Sequence, residues 1–288
     1  MIRNISLLLF LLLCSLGLTA QTVRTDVTVV GGTKGGISAG IQAARSGVKS
    51  LILEEGSTLS AEFTLADLTM LQKIRDHYIY KNQSESPKKD SIKQPVILPS
   101  QAGSLVKNIT DTVKNLKVML NTRIKSIKKE GKGWEIKLQN GRNIKTDVVI
   151  DASNNQALAA LLKIEPQKTI IQVDNWISSP ASSPKLFRTT VASGFLQINN
   201  KSGSYLIPAA TLMPVGIENV FLIPQSSNQL QPETMQAGQA AGAAAAFCAY
   251  FKTTSKNLNL RVTQGELLAY DARLIPYQDI AFQDRHSI

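Results

Sequence analysis

The order of residues between Asp26 and Gly56 limits the fold more than any other stretch of this chain. It reads DVTVVGGTKGGISAGIQAARSGVKSLILEEG. Asp26 to Val30 is short and β-branched, which suits a buried strand. A knot of glycines follows at Gly31, Gly32, Gly35 and Gly36, and Gly35 to Arg45 then carries good helix formers with small residues at Gly36, Ala39, Gly40 and Ala43. Ser50 to Glu55 is a second buried-strand pattern. Strand, helix and strand within about thirty residues need a crossover, and such a crossover joins parallel strands.

The glycine knot has a chemical reading. A helix N-terminus carries unpaired N–H groups and partial positive charge, so it holds a pyrophosphate where the backbone can come close. Close approach favours residues without a β-carbon, and Gly31, Gly32, Gly35 and Gly36 supply them directly after a strand. Glu54 stands about twenty residues downstream, where an acid accepts hydrogen bonds from a ribose 2′-hydroxyl and repels a 2′-phosphate. Aligning G-x-G-x-x-G on Gly31 and Gly36 puts Thr33 at the middle glycine, where a β-carbon crowds the approach. Two readings stay open on the motif alone: an adenine dinucleotide lacking the 2′-phosphate, or a strand-turn-helix that binds nothing.

Further along, Asp67 to Tyr80 reads as helix, Lys81 to Pro95 as a polar loop, and Ser100 to Asn115 as a helix with Leu105, Ile109 and Val113 on one face. Leu116 to Ser153 contains turn signals at Glu130-Gly131-Lys132-Gly133 and at Asn140-Gly141. These predict a β-meander that returns through DVVID to a buried strand. Lys168 to Ile207 is strand-like, broken by Ser178 to Pro184. Asn219 to Pro224 reads as a last buried strand, and Pro232 to Phe251 as an Ala- and Gly-rich helix that packs closely on a sheet.

Composition narrows the function. Residues Lys73 to Lys145 hold seventeen Lys or Arg against six Asp or Glu, which equals the whole chain's excess of +11. That field attracts polyanions such as acidic glycans; without a nucleic-acid module signature, nucleic acid is not the expected partner, and a solvated basic surface is the plain alternative. The first residues, MIRNISLLLFLLLCSLGLTAQT, have one Arg, an apolar run and a small-residue ending at Ala20. They read as a cleavable signal peptide over residues 1–20, giving a periplasmic or secreted protein without an integral span after cleavage; an uncleaved anchor is the alternative. With Cys14 removed, Cys248 is alone, and two cysteines and two histidines are too few for a typical zinc site or an iron–sulfur cluster.

Four segments then carry a resemblance. VVGGTKGGISAGIQAARSGVKSLILEE, NGRNIKTDVVIDASNNQALAALL, YLIPAATLMPVGIENVFLIP and MQAGQAAGAAAA occur in the order found in FAD-dependent oxidoreductases of the two-dinucleotide-domain type, and the chain resembles a shortened, exported member. The resemblance implies an α/β fold in which a Rossmann-like FAD-binding part with a parallel sheet receives a β-meander insertion and a reduced β-rich substrate section. The implied division is residues 21–165 for the FAD-binding part with its meander, 166–215 for the reduced substrate section, and 216–288 for the return to the FAD-binding domain.

By position the resemblance implies that Gly31, Gly32, Thr33 and Gly36 face the FAD pyrophosphate, with Gly35 in the same knot and Glu54 on the adenosine ribose. It implies Ser153 and Asn154 near the dinucleotide, and a turn at Gly238-Gln239-Ala240 that brings a second helix N-terminus to the flavin or pyrophosphate. Gln225, after Pro224, stands where relatives carry a Gly-Arg or Gly-Asp pair. The implied activity is hydride transfer between a small-molecule substrate and a non-covalent flavin, which needs no protein nucleophile, so no catalytic residue is assigned. Two other readings remain: a degenerate flavoprotein scaffold that binds an acidic glycan or a protein partner, and a Rossmann unit that takes NAD.

Overall fold

The computed structural model describes residues 22–59, 63, 65–82, 99–165, 171–173, 188–198, 201–224 and 234–274. The expected leader, most of the Lys81 to Pro95 loop, the Ser178 to Pro184 interruption and Gln225 lie outside these residues. In chain order the strands are β1 (Thr22–Arg24), β2 (Val27–Val30), β3 (Ser50–Leu53), β4 (Leu116–Met119), β5 (Ile124–Glu130), β6 (Gly133–Leu138), β7 (Asn143–Thr146), β8 (Val148–Asp151), β9 (Ile171–Val173), β10 (Thr190–Ile198), β11 (Lys201–Pro208) and β12 (Val220–Leu222). The helices are α1 (Lys34–Arg45), α2 (Leu65–Asn82), α3 (Pro99–Thr112), α4 (Ala157–Leu162), α5 (Ala209–Leu212), α6 (Thr234–Tyr250) and α7 (Leu260–Ala269).

A five-stranded parallel sheet with order β12-β8-β2-β3-β4 forms the centre. Val29 is registered between Ile52 of β3 and Ile150 of β8. Every residue of β2, β3, β8 and β12 is buried, which is what a sheet covered on both faces requires.

Alternation along the strands sorts the two faces. Val27, Val29, Ile52, Val148, Ile150 and Phe221 pack into one apolar cluster with residues of α1, α3 and α6. Val30, Leu51, Leu53, Val149, Val220 and Leu222 pack into the other, against Trp134, Ile136, Leu138 and Ile144. The latter come from a mixed sheet with order β1-β7-β6-β5, whose β5-β6-β7 hairpins are antiparallel and follow the expected meander. Gly141 takes φ +82° between β6 and β7, a left-handed turn that suits glycine. Helices, parallel sheet and meander therefore form three layers, an α/β fold. A third sheet, β10-β11-β9, is antiparallel and corresponds to the strand-like section expected between Lys168 and Ile207.

β1 adds a feature that periodicity did not mark. It joins the meander parallel to β7, pairing Val23 with Ile144.

Candidate functional site

Strand order locates the site. β2 comes first in the central sheet; the chain then moves outward through β3 and β4, returns on the other side of β2 to β8, and ends at β12. The reversal lies between β2 and β8, and crevices at the carboxyl ends of strands at such a point are where open α/β sheets take ligands. The glycine knot stands there.

Gly31 continues the sheet for one residue, donating from its N–H to the Leu53 carbonyl at 2.8 Å. Its φ of +102° turns the chain away. A β-carbon on Gly31 would lie 2.6 Å from Ser153 Cα and N, so backbone from the end of β8 fills the space a side chain would need. Ser153 is thus beside the knot as expected, while Asn154 is exposed in the following turn.

Thr33 differs from its expected role. It is the N-cap of α1: its Oγ1 accepts from the Gly36 amide at 3.2 Å and donates to the Ala152 carbonyl at 2.8 Å. The side chain thereby satisfies one early amide of the helix and ties the knot to the end of β8.

Two further glycines of the knot pack closely against backbone. A β-carbon on Gly36 would overlap the Gly31 carbonyl oxygen, so Gly36 serves close packing of α1 on the turn before it. A β-carbon on Gly35 would sit 2.8 Å from the Thr234 carbonyl oxygen and 3.2 Å from Ile223, so Gly35 faces the start of α6.

Gly32 is the position aimed toward the acid. A β-carbon there would come 2.7 Å from Leu59 Cδ2 and 2.9 Å from Glu54 Oε2. The Gly32 amide donates to Glu54 Oε2 at 2.5 Å, and the Gly56 amide donates to Oε1 at 2.7 Å. Glu54 is fixed through its own backbone as well, its N–H donating to Met119 O and its carbonyl accepting from Thr122 N–H. The carboxylate is half-buried at the end of β3, where the sequence expected it, and each oxygen retains capacity for a further hydrogen bond.

The expected turn at Gly238-Gln239-Ala240 is not found. These residues are buried inside α6, which begins at Thr234. A β-carbon on Gly238 would overlap the Gly35 carbonyl oxygen, and one on Gly242 the Ala39 carbonyl oxygen. Gly238 and Gly242 are four residues apart, as are Gly35 and Ala39, so the seam repeats once per helical turn. Gln239 Nε2 donates to Gln42 Oε1 at 3.0 Å and to the Tyr270 carbonyl at 3.2 Å. Ser38 Oγ donates to the Met235 carbonyl at 2.8 Å. A second helix N-terminus does reach the glycine knot, one turn earlier than the sequence suggested, at Thr234.

Asp151 closes β8. Its carboxylate accepts from Ser153 Oγ at 2.7 Å, from the Ser153 amide at 3.1 Å and from the Ala159 amide at 2.9 Å. Burial pushes this carboxyl up from its ordinary value, opposed by hydrogen bonds from Ser153 and from the Ala159 and Leu158 amides. Asp151 and Ser153 thus brace the loop that flanks Gly31.

The residues fit a bound dinucleotide in the first half of the sheet. Backbone fills the β-carbon space of Gly31, the α1 and α6 N-termini adjoin, and an acid stands at the end of β3. Residues 26–167, just under half of the chain, match the family described as FAD dependent oxidoreductase. This segment is similar to that family. The matched segment spans β2 through α4, and therefore holds the knot, Glu54, the meander and Ser153.

Among solved structures, the chain is similar to p-nitrophenol 4-monooxygenase from Pseudomonas putida, with 12% identity over 85% of this chain and 84% of that one and a TM-score of 0.45. It is similar to a flavoprotein/dehydrogenase from Cytophaga hutchinsonii, with 13% identity, 86% and 84% coverage and a TM-score of 0.45. An aromatic hydroxylase from angucycline biosynthesis matches at 12% identity over 79% of this chain and 62% of that one, with a TM-score of 0.45. No curated protein matches the sequence. Among the described residues no helix is long and apolar enough to cross a membrane.

Proposed function

We propose that this protein is an oxidoreductase that holds FAD without a covalent bond at the β2–β8 switch point and acts on a small-molecule substrate. The observation that carries the reading is the pairing of Gly32 with Glu54, the Gly32 amide donating to the carboxylate at 2.5 Å beside the start of α1. In this reading the α1 N-terminus stabilises the diphosphate and Glu54 accepts from the adenosine ribose. Leu59 and Phe63, both buried, exclude water beside the same loop. A bound flavin would supply two-electron chemistry, and this chain would orient it. Export through residues 1–20 is part of the proposal, checked by the N-terminal sequence of the mature chain.

The test is the visible spectrum of the purified chain, followed by chromatography of whatever nucleotide denaturation releases. Flavin bands with FAD in the released fraction are expected. Release of NAD overturns the cofactor assignment in favour of a nicotinamide site.

A second reading, a scaffold that binds an acidic glycan, is favoured by the exposed cations of the meander. Lys125, Lys128 and Lys137 are exposed on β5 and β6, although Lys128 is paired with Glu135 at 2.7 Å. A colourless chain that refuses FAD and binds heparin with steep salt dependence supports that reading.

A further inference from the structure

The C-terminal ends of α1 and α6 meet the flank of α7 over a hollow of about 220 Å³. Phe247, Tyr250 and Phe251 from the end of α6 and Val262 of α7 give it apolar walls, while Ser46, the C-cap of α1, and Glu266 of α7 form its polar side. Phe247 comes thirteen residues after Thr234, the start of α6 beside the glycine knot, or about 20 Å along the helix. The hollow is therefore separate from the dinucleotide site.

Its electrostatics favour a cation. α1 ends at Arg45 and α6 at Tyr250, and each helix C-terminus carries about half a negative charge. Glu266 is half-buried, and among the described residues its carboxylate has one partner, Ser46, whose Oγ donates to Oε1 at 2.7 Å, and no ion pair. The described lining contains no Lys, Arg or His. The buried amide of Gln42 holds the Ser46 hydroxyl in turn, donating from Nε2 to Oγ at 3.1 Å, so the carboxylate is fixed from the interior. Phe247 and Phe251 have ring centroids 4.8 Å apart, and Tyr250 meets Phe251 edge-on at 5.1 Å. Tyr250 is 65% exposed and Phe251 58%. Rings beside an acid suit a cation with an apolar surface, drawn to the ring faces and to the carboxylate together. A hard metal ion needs more oxygen ligands than this wall supplies. Drug-sized ligands fill about 300–1,000 Å³, so this hollow takes a smaller molecule.

We propose that the hollow binds a small alkylated ammonium ion, with Glu266 as counter-ion and Tyr250 and Phe251 as its aromatic wall. The site is a binding site to which no chemical step is assigned, and it stands independently of the flavin reading.

The test is an NMR titration of the full chain with two probes of similar shape, tetramethylammonium chloride and uncharged tert-butanol, at constant chloride. Wild type is expected to bind tetramethylammonium saturably and about tenfold more tightly than tert-butanol. Glu266→Gln is expected to remove that preference. Tyr250→Ala changes an exposed side chain, keeps the fold by circular dichroism, and is expected to weaken tetramethylammonium severalfold. Equal affinity of wild type for the two probes, no saturable binding of the cation, or undiminished binding by both folded variants overturns the assignment. Sedimentation of the same samples reads the other occupant: a wild-type dimer that Tyr250→Ala dissociates, with no effect of tetramethylammonium, overturns the assignment in favour of an interface between copies of this chain.

Discussion

Gly238 of α6 lies so close to Gly35 of α1 that a β-carbon on it would overlap the Gly35 carbonyl oxygen. Backbone, unlike the tip of a long side chain, cannot step aside, so this seam sets the distance between the two helices. Gly238→Ala is expected to destabilise the fold by about 2–3 kcal/mol through overpacking, measured by urea denaturation. Gly265 in α7 supplies the contrast, because a β-carbon there meets nothing within 4 Å. Gly265→Ala is expected to be neutral or to stabilise by about 0.5–1 kcal/mol. Equal effects at the two positions would contradict the seam.

Thr33 connects α1 to the end of β8 through its hydroxyl, which both caps Gly36 and donates to Ala152. Thr33→Ala is expected to cost about 1–2 kcal/mol, and Thr33→Ser, which keeps the hydroxyl, much less. Thermal melts of the two variants separate the cap from the bulk of the side chain. If alanine and serine behave alike, the hydroxyl is not what holds the knot.

Cys248 gives a pH test. Burial pushes its thiol up to about 12. The folded state keeps this proton through a range where the unfolded chain releases it. The stability this group contributes is therefore complete below the unfolded pKa and is lost as pH rises toward about 12. Above the ordinary thiol range, wild type should lose stability relative to Cys248→Ala by about 1.4 kcal/mol per pH unit. Denaturation midpoints over alkaline pH read the difference, and a flat difference contradicts the buried thiol.

Much of the first unit was legible because its signals are local. Gly31 follows four buried strand residues, and the helix starting at Lys34 and the strand starting at Ser50 obey their own periods. The meander was legible from Gly131 and Gly141, which take positive φ at the two turns. What sequence could not assign was which partner each small residue faces. Gly36 and Gly238 look like ligand-facing glycines in a motif, yet their neighbours are the carbonyls of Gly31 and Gly35. Those contacts exist only once α1 and α6, some two hundred residues apart in sequence, are side by side. β1 was missed for a similar reason: three residues carry no period, and the partner that makes them a strand is β7. The hydroxyl of Thr33 had a recognisable signal, a Thr directly before a helix, which the glycine fingerprint obscured.

The glycines also separate fold from binding. Gly36→Ala would drive a β-carbon into the Gly31 carbonyl, so it tests the turn itself. At Gly32 the neighbours are side-chain atoms of Leu59 and Glu54 and no backbone. The most direct measurement is therefore a fluorescence titration of FAD into the flavin-free chain, using wild type and Gly32→Val with circular dichroism as the fold check. Wild type is expected to saturate with FAD, and a folded Gly32→Val to bind about tenfold more weakly or worse because Glu54 is displaced. A wild-type chain that leaves FAD fluorescence unchanged, or a folded Gly32→Val with undiminished affinity, would contradict the assignment of this loop to the dinucleotide.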